Sequence, residues 1–324
     1  MDSNKGSILI TTLWIIAILS LLAMGIGFRS SLEVRLSKYN MDRLKARYLA
    51  KAGIEKARER LLNDGHPNYD TLHECGIALK DEETTKSIFN VKFDELGNET
   101  FSVYYTYKKE DEEGKKTEDI QYGMIDEERK IDIKLTNLLK MKDYKNILKR
   151  LSPNFTDEII NAIKDWQDSD NAGEAENSYY ETERGYSCKN GDFETIEELL
   201  LVKDVTGDLF NEVKDYITVY GGDEKININT APEKVLGAVI NNNELVGSIV
   251  NYRKAIETGG GWTNKDAFVR FLIDRHIDAS LADYFTVKSS NFRIISRGNV
   301  RKITKTVTCV VEKEKKEIKY YHEE

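Results

Sequence analysis

Residues 7–28 read SILITTLWIIAILSLLAMGIGF, an unbroken run without a charged residue. As a helix rising about 1.5 Å per residue, the run is about 33 Å long, and the hydrocarbon core of a bilayer is about 30 Å thick. The apolar core of a secretory signal is shorter, at about 7 to 15 residues. The run therefore predicts a membrane-spanning helix near the start of the chain.

The helical pattern continues beyond this run. Apolar residues recur at helical spacing with charged residues between them, and no turn residue interrupts them. They are Leu32, Leu36, Tyr39, Ala50, Ile54, Ala57 and Leu61. The pattern predicts one helix over residues 7–62, apolar in its first part and amphipathic in its second.

The six residues before the run end in Lys5-Gly6. A short leader of this kind before such a helix resembles the class III leader of type IV pilins and pseudopilins. The resemblance implies that a prepilin peptidase cuts after Gly6, so that Ser7 becomes the first residue of the mature, methylated chain. An uncleaved signal anchor and an ordinary signal peptide cut near Ala23 are the alternatives for this end.

The charges around the run argue against the pilin orientation. Lys5 and the amino terminus are the positive groups before it, whereas Arg29, Arg35 and Lys38 follow it. Positive residues favour the cytoplasmic side of a membrane helix. The resemblance nevertheless implies one span in the inner membrane, with the rest of the chain in the periplasm.

Thr11 occupies the fifth position of the expected mature chain, where most pilins and pseudopilins carry Glu. A carboxylate in lipid is costly unless a partner charge neutralises it, and in the filaments of that family the partner is the amine of the subunit above. A subunit at the tip has no such amine above it. A neutral residue here resembles the K-type minor pseudopilin of type II secretion and implies a tip position.

Charge limits the functions open to the rest of the chain. The net charge is −8, although residues 29–60 hold ten Lys or Arg and four acidic residues, so the remainder is strongly acidic. An acidic exterior repels nucleic acid and favours cations or basic partners. The three cysteines and four histidines are widely spaced and predict neither a disulfide framework nor a zinc site.

Strand patterns enclose a long helical region. Residues 87–93, 100–108 and 120–125 read as strands, helical patterns fill most of 131–284, and strand patterns return at 291–296 and 302–311. The fold class predicted is α+β: a pilin helix and an antiparallel sheet interrupted by a large all-α domain. Its expected parts are a leader at 1–6, the helix at 7–62, strands at 63–127, the insertion at 128–287, and strands with a charged tail at 288–324.

The insertion contains an internal repeat. Residues 130–136 align with 225–230, and residues 215–219 align with 283–287. These matches predict two copies of one helical unit, over about 130–220 and 225–287, similar to SAM-like or helix-hairpin-helix units. The first copy has a longer middle, because Trp166 to Phe193 is 27 positions and the matching Tyr252 to Trp262 is ten.

This extra loop is rich in hard oxygen ligands. Asp168, Asp170, Glu174 and Glu176 lie within nine positions, with Gly173 between them. Calcium takes six to eight oxygens, and Asp, Asn, Glu and Gly loops supply them at short spacing. The spacing is not that of an EF-hand, so a solvated acidic loop is the alternative to a calcium site.

The same segment carries the second part of the resemblance to the K-type minor pseudopilins. The motifs in order are Asp165-Trp166-x-Asp168-x-Asp170, Ala175-Glu176-Asn177-x-Tyr179-Tyr180, Asn190-Gly191, Glu198-Leu199 and Ile226-Asn227-Ile228-Asn229-Thr230-Ala231-Pro232. The resemblance implies calcium bound in the helical domain, at the matched positions Asp168, Asp170 and Glu176. The chain has Glu174-Ala175-Glu176-Asn177 where that family commonly has Gly-Ala-Glu-Asp.

Residues 226–232 and the helices after them also resemble the helix-hairpin-helix unit of ComEA-like membrane-anchored DNA receptors. In such units a glycine turn presents backbone N–H groups to phosphate. This chain has Asn241-Asn242-Asn243 there, and Glu244 lies where an anion would approach. No nucleic-acid partner is therefore expected, and the receptor is kept as the alternative function.

Catalysis is not expected either, because the chain lacks a Gly-x-Ser-x-Gly motif, a His-Glu-x-x-His motif and a phosphate loop. The resemblance implies a structural subunit at the tip of the type II secretion pseudopilus. Its expected partners are the I and J minor pseudopilins, the major pseudopilin and the prepilin peptidase. Its expected role is to start filament assembly for protein export across the outer membrane.

Overall fold

The structure is a computed structural model that describes residues 4–63, 68–71, 82–93, 99–110, 116–222, 225–255 and 261–324. Its strands are β1 (Asn90–Phe93), β2 (Glu99–Glu110), β3 (Lys116–Tyr122), β4 (Ile125–Asp126), β5 (Ile131–Asp132), β6 (Ile217–Thr218), β7 (Ile226–Asn227), β8 (Phe285–Thr286), β9 (Asn291–Val300), β10 (Ile303–Glu312) and β11 (Glu317–Glu323). Its α-helices are α1 (Asn4–Leu62), α2 (Glu82–Phe89), α3 (Leu135–Leu138), α4 (Tyr144–Leu151), α5 (Asp157–Gln167), α6 (Asn177–Tyr179), α7 (Gly207–Val213), α8 (Glu233–Ile240), α9 (Asn243–Ala255) and α10 (Lys265–Ile273).

Helix α1 is continuous for 59 residues, as the apolar run and the amphipathic pattern predicted. Every side chain from Ile8 to Met41 is exposed, because no other part of the described chain packs on this half. Length and composition make it the one helix, among the residues described, that can cross a membrane. From Asp42 onward, its buried face lies against the sheet.

Seven antiparallel strands form the main sheet in the order β1-β2-β9-β10-β11, with β3 paired to β2 and β4 paired to β9. Thr100–Val103 of β2 pair directly with residues 296–299 of β9, although almost 200 residues separate them in the chain. Strands from the two ends of the globular part therefore belong to one sheet. Residues 127–290 form an insertion between β4 and β9, which agrees with the predicted interruption.

Small residues let α1 approach the sheet closely. Gly298 of β9 crosses the helix where an added Cβ would meet the backbone of Ala46 and Ala50. One turn further along, Gly53 faces the Ser296 side chain with the same lack of room. This close contact between α1 and the sheet lies next to a core of larger apolar residues. Those residues are Ile54, Leu61, Phe89, Val103, Met124, Phe292, Ile294, Val307 and Val311.

Two short parallel ladders organise the insertion. Strand β5 pairs with β6, and β7 pairs with β8, so each copy of the predicted repeat is closed by its own first and last strand. One hydrophobic core runs through both copies and includes Val310 of the sheet. The expectation of a purely helical insertion was wrong in this respect, because strands of two residues leave no readable alternation in the sequence.

A buried polar network joins the insertion to the sheet at Asp126. Its carboxylate accepts hydrogen bonds from Thr230 Oγ1, Ser289 Oγ and Asn227 Nδ2. Burial raises the pKa of Asp126, and it raises the pKa of neighbouring Glu128 further. Because these side chains come from β4, β7 and the segment before β9, the network fixes the second copy against the sheet.

Two local predictions were wrong. Residues 87–89 belong to helix α2, and the strand expected at 87–93 begins only at Asn90. The charged tail contains β11, which pairs with β10 from Val307 to Glu312. Charged and aromatic side chains alternate weakly in this edge strand, so its pattern resembles a solvated tail. Cys75, His66 and His73 lie outside the described residues.

Candidate metal centre

The candidate site begins where helix α5 ends. Thr156 caps the helix by accepting the Ile159 N–H, and Asp157 and Glu158 in the first turn suit the positive end of the helix dipole. The apolar face, which includes Trp166, packs into the core of the insertion.

The side chain of Gln167 then fixes the last turn of α5. Its carbonyl accepts from Leu135 N–H, and its amide donates to the Ile133 carbonyl. The start of the loop is therefore anchored to the strand that opens the first copy.

Three predicted ligands meet just beyond this end. Carboxylate oxygens of Asp168, Asp170 and Glu176 lie within 4.8 Å of one another. Glu174, the fourth predicted ligand, is exposed and does not belong to this group. Glu176 is buried next to the buried Ala175, whereas Glu174 on the other side of Ala175 faces solvent.

The electrostatics of this group call for a positive charge. Glu176 is only 3% exposed, and among the residues described no group donates a hydrogen bond to its carboxylate oxygens or to those of Asp168. Burial raises the pKa of Glu176, and the nearby charges of Asp165, Asp168 and Asp170 raise it further. A buried carboxylate without a partner is costly, so the arrangement is incomplete as a set of protein contacts alone.

The helix dipole adds to this cost. Asp168 is the C-cap of α5, where the unpaired carbonyls give the helix end a partial negative charge. Lys164 Nζ lies 3.4 Å from one Asp168 oxygen, but its side chain is 45% exposed and forms no hydrogen bond there. A single half-exposed lysine offsets little of the repulsion among three carboxylates.

The loop is nevertheless held in place by its own contacts. Asp165 accepts the Ala175 N–H, and Gly173 lies so close to the Asp165 carboxylate that no Cβ could fit there. Asp170 accepts the Ala172 N–H in a tight turn. These contacts orient the carboxylates before any ligand arrives.

Amide side chains close the loop from the other side. Asn171 Oδ1 accepts from both Asn177 and Asn190, and Asn177 Oδ1 accepts the Cys188 N–H. Asn190 has a buried Oδ1 without a hydrogen-bond partner and a left-handed backbone, with φ of 50°. Asn190 was not among the residues predicted to form the site. Its distance of 14 positions from Glu176 gave no signal that both would border one loop.

These residues suit calcium better than zinc or a redox metal. The three clustered ligands are carboxylates, and the amide oxygens lie in the same loop, which is the hard oxygen chemistry of calcium. Cys188 is buried, and burial raises the pKa of its thiol, so the thiolate that zinc requires is disfavoured. The orphaned oxygens of Asp168 and Glu176 fit a bound divalent cation.

Comparison with known proteins assigns the two parts of the chain. The family model described as "Type II secretion system (T2SS), protein K" matches residues 133–222, and the model described as "PilX N-terminal" matches residues 5–55. The chain therefore resembles protein K of type II secretion over residues 133–222 and a pilin-like N-terminal domain over residues 5–55. It is a minor pseudopilin, and its N-terminal helix is a single membrane anchor of the pilin kind.

A solved structure shares the fold of this chain over most of its length. It is a chain of the complex described as "The Crystal Structure of the GspK-GspI-GspJ complex from enterotoxigenic Escherichia coli Type 2 Secretion System". The TM-score is 0.62 at 14% identity, and the match covers 90% of this chain and 99% of that chain. No curated protein matches the chain significantly.

Thr11, which the resemblance predicts to mark a tip subunit, lies in the apolar part of α1. Thr11 Oγ1 donates to the Ile8 carbonyl at 2.9 Å, so the hydroxyl is satisfied within its own helix. Gly6 and Ser7 lie within α1, and nothing in the structure tests cleavage between them. Cleavage there stays a prediction.

The DNA-receptor alternative has no support from the family or the fold. At the relevant turn, the Asn242 side chain accepts the Leu245 N–H, and Glu244 is exposed in the first turn of α9. A capped helix start with an adjacent carboxylate is a poor phosphate site. The resemblance of residues 226–232 to DNA receptors therefore reflects a shared helical unit rather than a shared ligand.

Proposed function

We propose that this minor pseudopilin occupies the tip of the type II secretion pseudopilus and starts its assembly. The observation that carries the proposal is Thr11, a neutral residue whose hydroxyl donates to the Ile8 carbonyl of its own helix. A Glu at this position would seek the amine of a subunit above it, because a lone carboxylate in lipid is costly. A subunit with Thr11 can begin a head-to-tail filament without one above.

The insertion supports the same position. Residues 127–290 add a second core beside the pilin-like sheet, so the chain carries a bulky domain on its globular end. Head-to-tail filaments grow only where both ends of a subunit are free to make contact. In this proposal the domain covers the upward contact, and the chain acts as a cap without catalytic activity.

The proposed partners follow from this position. The related solved chain belongs to a complex named for GspK, GspI and GspJ. We infer that this chain likewise assembles with an I and a J minor pseudopilin and then with the major pseudopilin. The proposed setting is the inner membrane, with the globular part in the periplasm and a prepilin peptidase removing residues 1–6.

The first test is the intact mass of the chain after co-expression with a prepilin peptidase. We expect loss of residues 1–6, with Ser7 as the new first residue, and no loss in a Gly6→Leu variant. A chain that stays uncut with an active peptidase would contradict the pilin processing. The mass also reports methylation of the new amino terminus.

The tip position has its own test. Thr11→Glu is expected to reduce pseudopilus initiation, counted as filaments per cell, because the new carboxylate has no amine above it. Thr11→Ser is the matched control, since it keeps a hydroxyl that the Ile8 carbonyl can accept from. Equal filament numbers in the Glu and Ser variants would contradict this account of Thr11.

We further propose that Asp168, Asp170 and Glu176 hold calcium, with the orphaned oxygens of Asp168 and Glu176 as the supporting observation. Calcium here would replace the missing positive charge and stabilise the cap. Titration calorimetry with calcium on the full chain should show binding that Asp168→Asn removes. Glu174→Gln is the control outside the cluster, and equal loss in both variants would contradict this ligand set.

A further inference from the structure

Positive charge is concentrated on the part of the chain nearest the membrane. Residues 29–51 hold seven Lys or Arg against Glu33 and Asp42, a net charge of +5, which leaves −13 on the rest of the chain. Both acids are already engaged, Glu33 with Arg29 and Asp42 with Arg301. The role at the filament tip does not account for this cluster.

The turn between β9 and β10 and the start of β10 place further positive residues beside the helix. Arg301 on this turn reaches Asp42 at 2.6 Å, so the turn lies beside α1 at the membrane-proximal edge of the sheet. Lys302 follows it on the turn, and Lys305 lies further along β10. Three cations here, Arg43, Lys302 and Lys305, form no ion pair with a carboxylate among the residues described. We call these three the basic face.

A cavity of about 270 Å³ lies in the basic face between α1 and the edge formed by β10 and β11. Arg43 and Lys305 stand at its rim, and Leu44 and Val307 contribute apolar surface. Glu323 and Glu324 also line it, but Arg47 and Lys51 engage the Glu323 carboxylate, and the Glu324 carboxylate lies 3.5 Å from His322 Nε2. The cavity thus combines free cations with an apolar wall, which suits an anionic amphiphile.

From these observations we propose that the basic face binds anionic phospholipid headgroups of the membrane in which α1 is anchored. The proposal rests on the single membrane anchor and is independent of the tip position. Basic groups beside an anionic bilayer are attracted strongly, and the effect is confined to about one Debye length, roughly 8 to 10 Å.

Because the attraction acts only over this short distance, the globular part must incline toward the membrane. From Phe28 to Arg43, an upright helix rises about 22 Å, whereas the headgroup layer adds only about 5 to 7 Å to each side of the core. Gly25 and Gly27 lie at the end of the span, where a Cβ added to either would meet nothing within 4 Å, and glycine is among the residues at which helices bend. Inclination about this point brings the basic face to the headgroups.

The test is headgroup quenching of the full chain in nanodiscs. A fluorescent amino acid at Thr304, on β10 between Lys302 and Lys305 of the basic face, reports approach to lipids that carry a nitroxide on the headgroup. The same probe at Glu183, exposed on the insertion, is the reference position. We expect quenching at 304, but not at 183, to rise when phosphatidylglycerol replaces phosphatidylcholine.

The charge variants decide whether the basic face causes this approach. Arg43→Gln with Lys305→Gln should lower the ratio of inclined to upright chains about 30-fold, from about fivefold per cation. Lys142→Gln with Lys225→Gln removes the same charge from the insertion and should leave quenching unchanged. Equal quenching in both lipids, equal effects of both double variants, or equal quenching at 304 and 183 would each overturn the proposal.

Discussion

The two copies within the insertion share a plan and differ in one segment. Each begins with a strand, continues through helices and ends with a strand that pairs in parallel with the first. In the first copy, 27 positions separate Trp166 from Phe193, whereas ten separate the equivalent Tyr252 and Trp262 in the second. The added segment holds the clustered carboxylates, so a candidate metal site lies in the first copy, and the described part of the second copy has no such cluster.

The added segment is part of the core and not an appendage. Tyr180 and Tyr186 from it stack on each other at 5.6 Å and contact Trp166 edge-on. In the second copy, Trp262 stacks on Tyr252 at 4.5 Å. An aromatic cluster is therefore common to both copies, and the first uses it to anchor the loop. Binding at the loop should consequently alter the stability of the whole insertion.

The largest expected effect comes from the aromatic cluster of the second copy. Trp262→Ala should lower the free energy of unfolding by about 3 to 5 kcal/mol, because the indole is fully buried among three aromatic rings. Urea unfolding followed by near-UV circular dichroism measures it. Leu201→Ala, at a side chain that is 43% exposed, should change the value by less than about 0.5 kcal/mol.

The same experiment tests whether the copies fold together. One core passes through both, so Trp262→Ala should shift a single transition that also reports the first copy. Two separate transitions, with only one shifted, would show that the copies are independent units. The two copies would then be separate small domains and would not share one core.

Calcium binding to the first copy should have a smaller effect on stability than Trp262→Ala. At a calcium concentration 100 times the dissociation constant, binding to the folded chain alone adds about 2.7 kcal/mol to stability. Glu176→Gln should remove this gain and also raise stability in chelator by about 1 kcal/mol, because a buried unpartnered carboxylate is lost. Thermal unfolding in calcium and in chelator measures both changes.

A control for the calcium effect lies close to the loop. Glu183→Gln removes one negative charge from an exposed position after the cluster, so it should leave the calcium gain intact. If Glu183→Gln and Glu176→Gln reduce the gain equally, the effect is general screening of an acidic surface. The site would then not be formed by the clustered carboxylates.

Two glycines give a third comparison. Gly261 in the second copy abuts the Asn229 side chain, and Gly173 in the first abuts that of Asp165. Asn229 is fully buried and hydrogen-bonded to the Trp262 N–H and carbonyl, so Gly261→Ala should cost about 1 to 3 kcal/mol of stability.

Gly173 is itself exposed, and the Asp165 carboxylate beside it accepts one backbone N–H, so Gly173→Ala should cost less stability and weaken calcium binding instead. Chemical unfolding and calcium titration of both variants measure these effects. A larger loss of stability in Gly173→Ala than in Gly261→Ala would contradict the prediction that the second copy is the more sensitive to an added Cβ.

The smallest effect concerns pH at the opening strands. Asp132 in the first copy aligns with Asn227 in the second, and burial raises the pKa of Asp132. The folded chain then holds this proton more tightly than the unfolded chain, so stability falls as pH rises from about 4 through the raised pKa. Asp132→Asn should remove that part of the decline and change stability near pH 7 by about 1 kcal/mol or less.

The pKa of Glu127 is shifted in the opposite direction, and this sets the lowest pH at which Asp132 can be studied. Burial opposes its ionisation, but Arg293 and Lys130 outweigh burial and lower the pKa of Glu127 to about 2. Its stabilising contribution is present above its ordinary pKa and is lost as pH falls toward 2. The free energy of unfolding of the wild-type chain and of Asp132→Asn should be measured between pH 4 and 8, where Glu127 stays ionised. The difference between them reports Asp132, and an identical pH dependence in both chains would contradict its predicted contribution.

Much of the fold was readable because its signals are long or repeated. The helix from the membrane to Leu62 has a sustained pattern, and β2, β9 and β10 are long enough to alternate or to carry β-branched runs. The repeat was visible through its opening and closing motifs. Helix α2, the edge strand β11 and the two-residue strands were missed because packing and pairing decide such short or polar segments.

The candidate site was readable in composition but not in geometry. The sequence placed four acids in one loop, and the structure gathers Asp168, Asp170 and Glu176 but leaves Glu174 in solvent. Asn190 borders the loop from 14 positions beyond Glu176. Which oxygens converge depends on how Ala175 and the aromatic side chains pack, and spacing along the chain does not encode this.

The sequence by itself determined the membrane span, the amphipathic continuation, the interrupted sheet and the duplicated insertion, because each depends on hydrophobic periodicity or local similarity. The tertiary structure alone decided which carboxylates lose their hydrogen-bond partners, which glycines touch another segment, and where Asp126 joins the insertion to the sheet. It also placed the turn at Arg301 beside Asp42 across 259 positions. Such contacts arise from burial and close packing between distant segments, and only the folded chain brings those segments together.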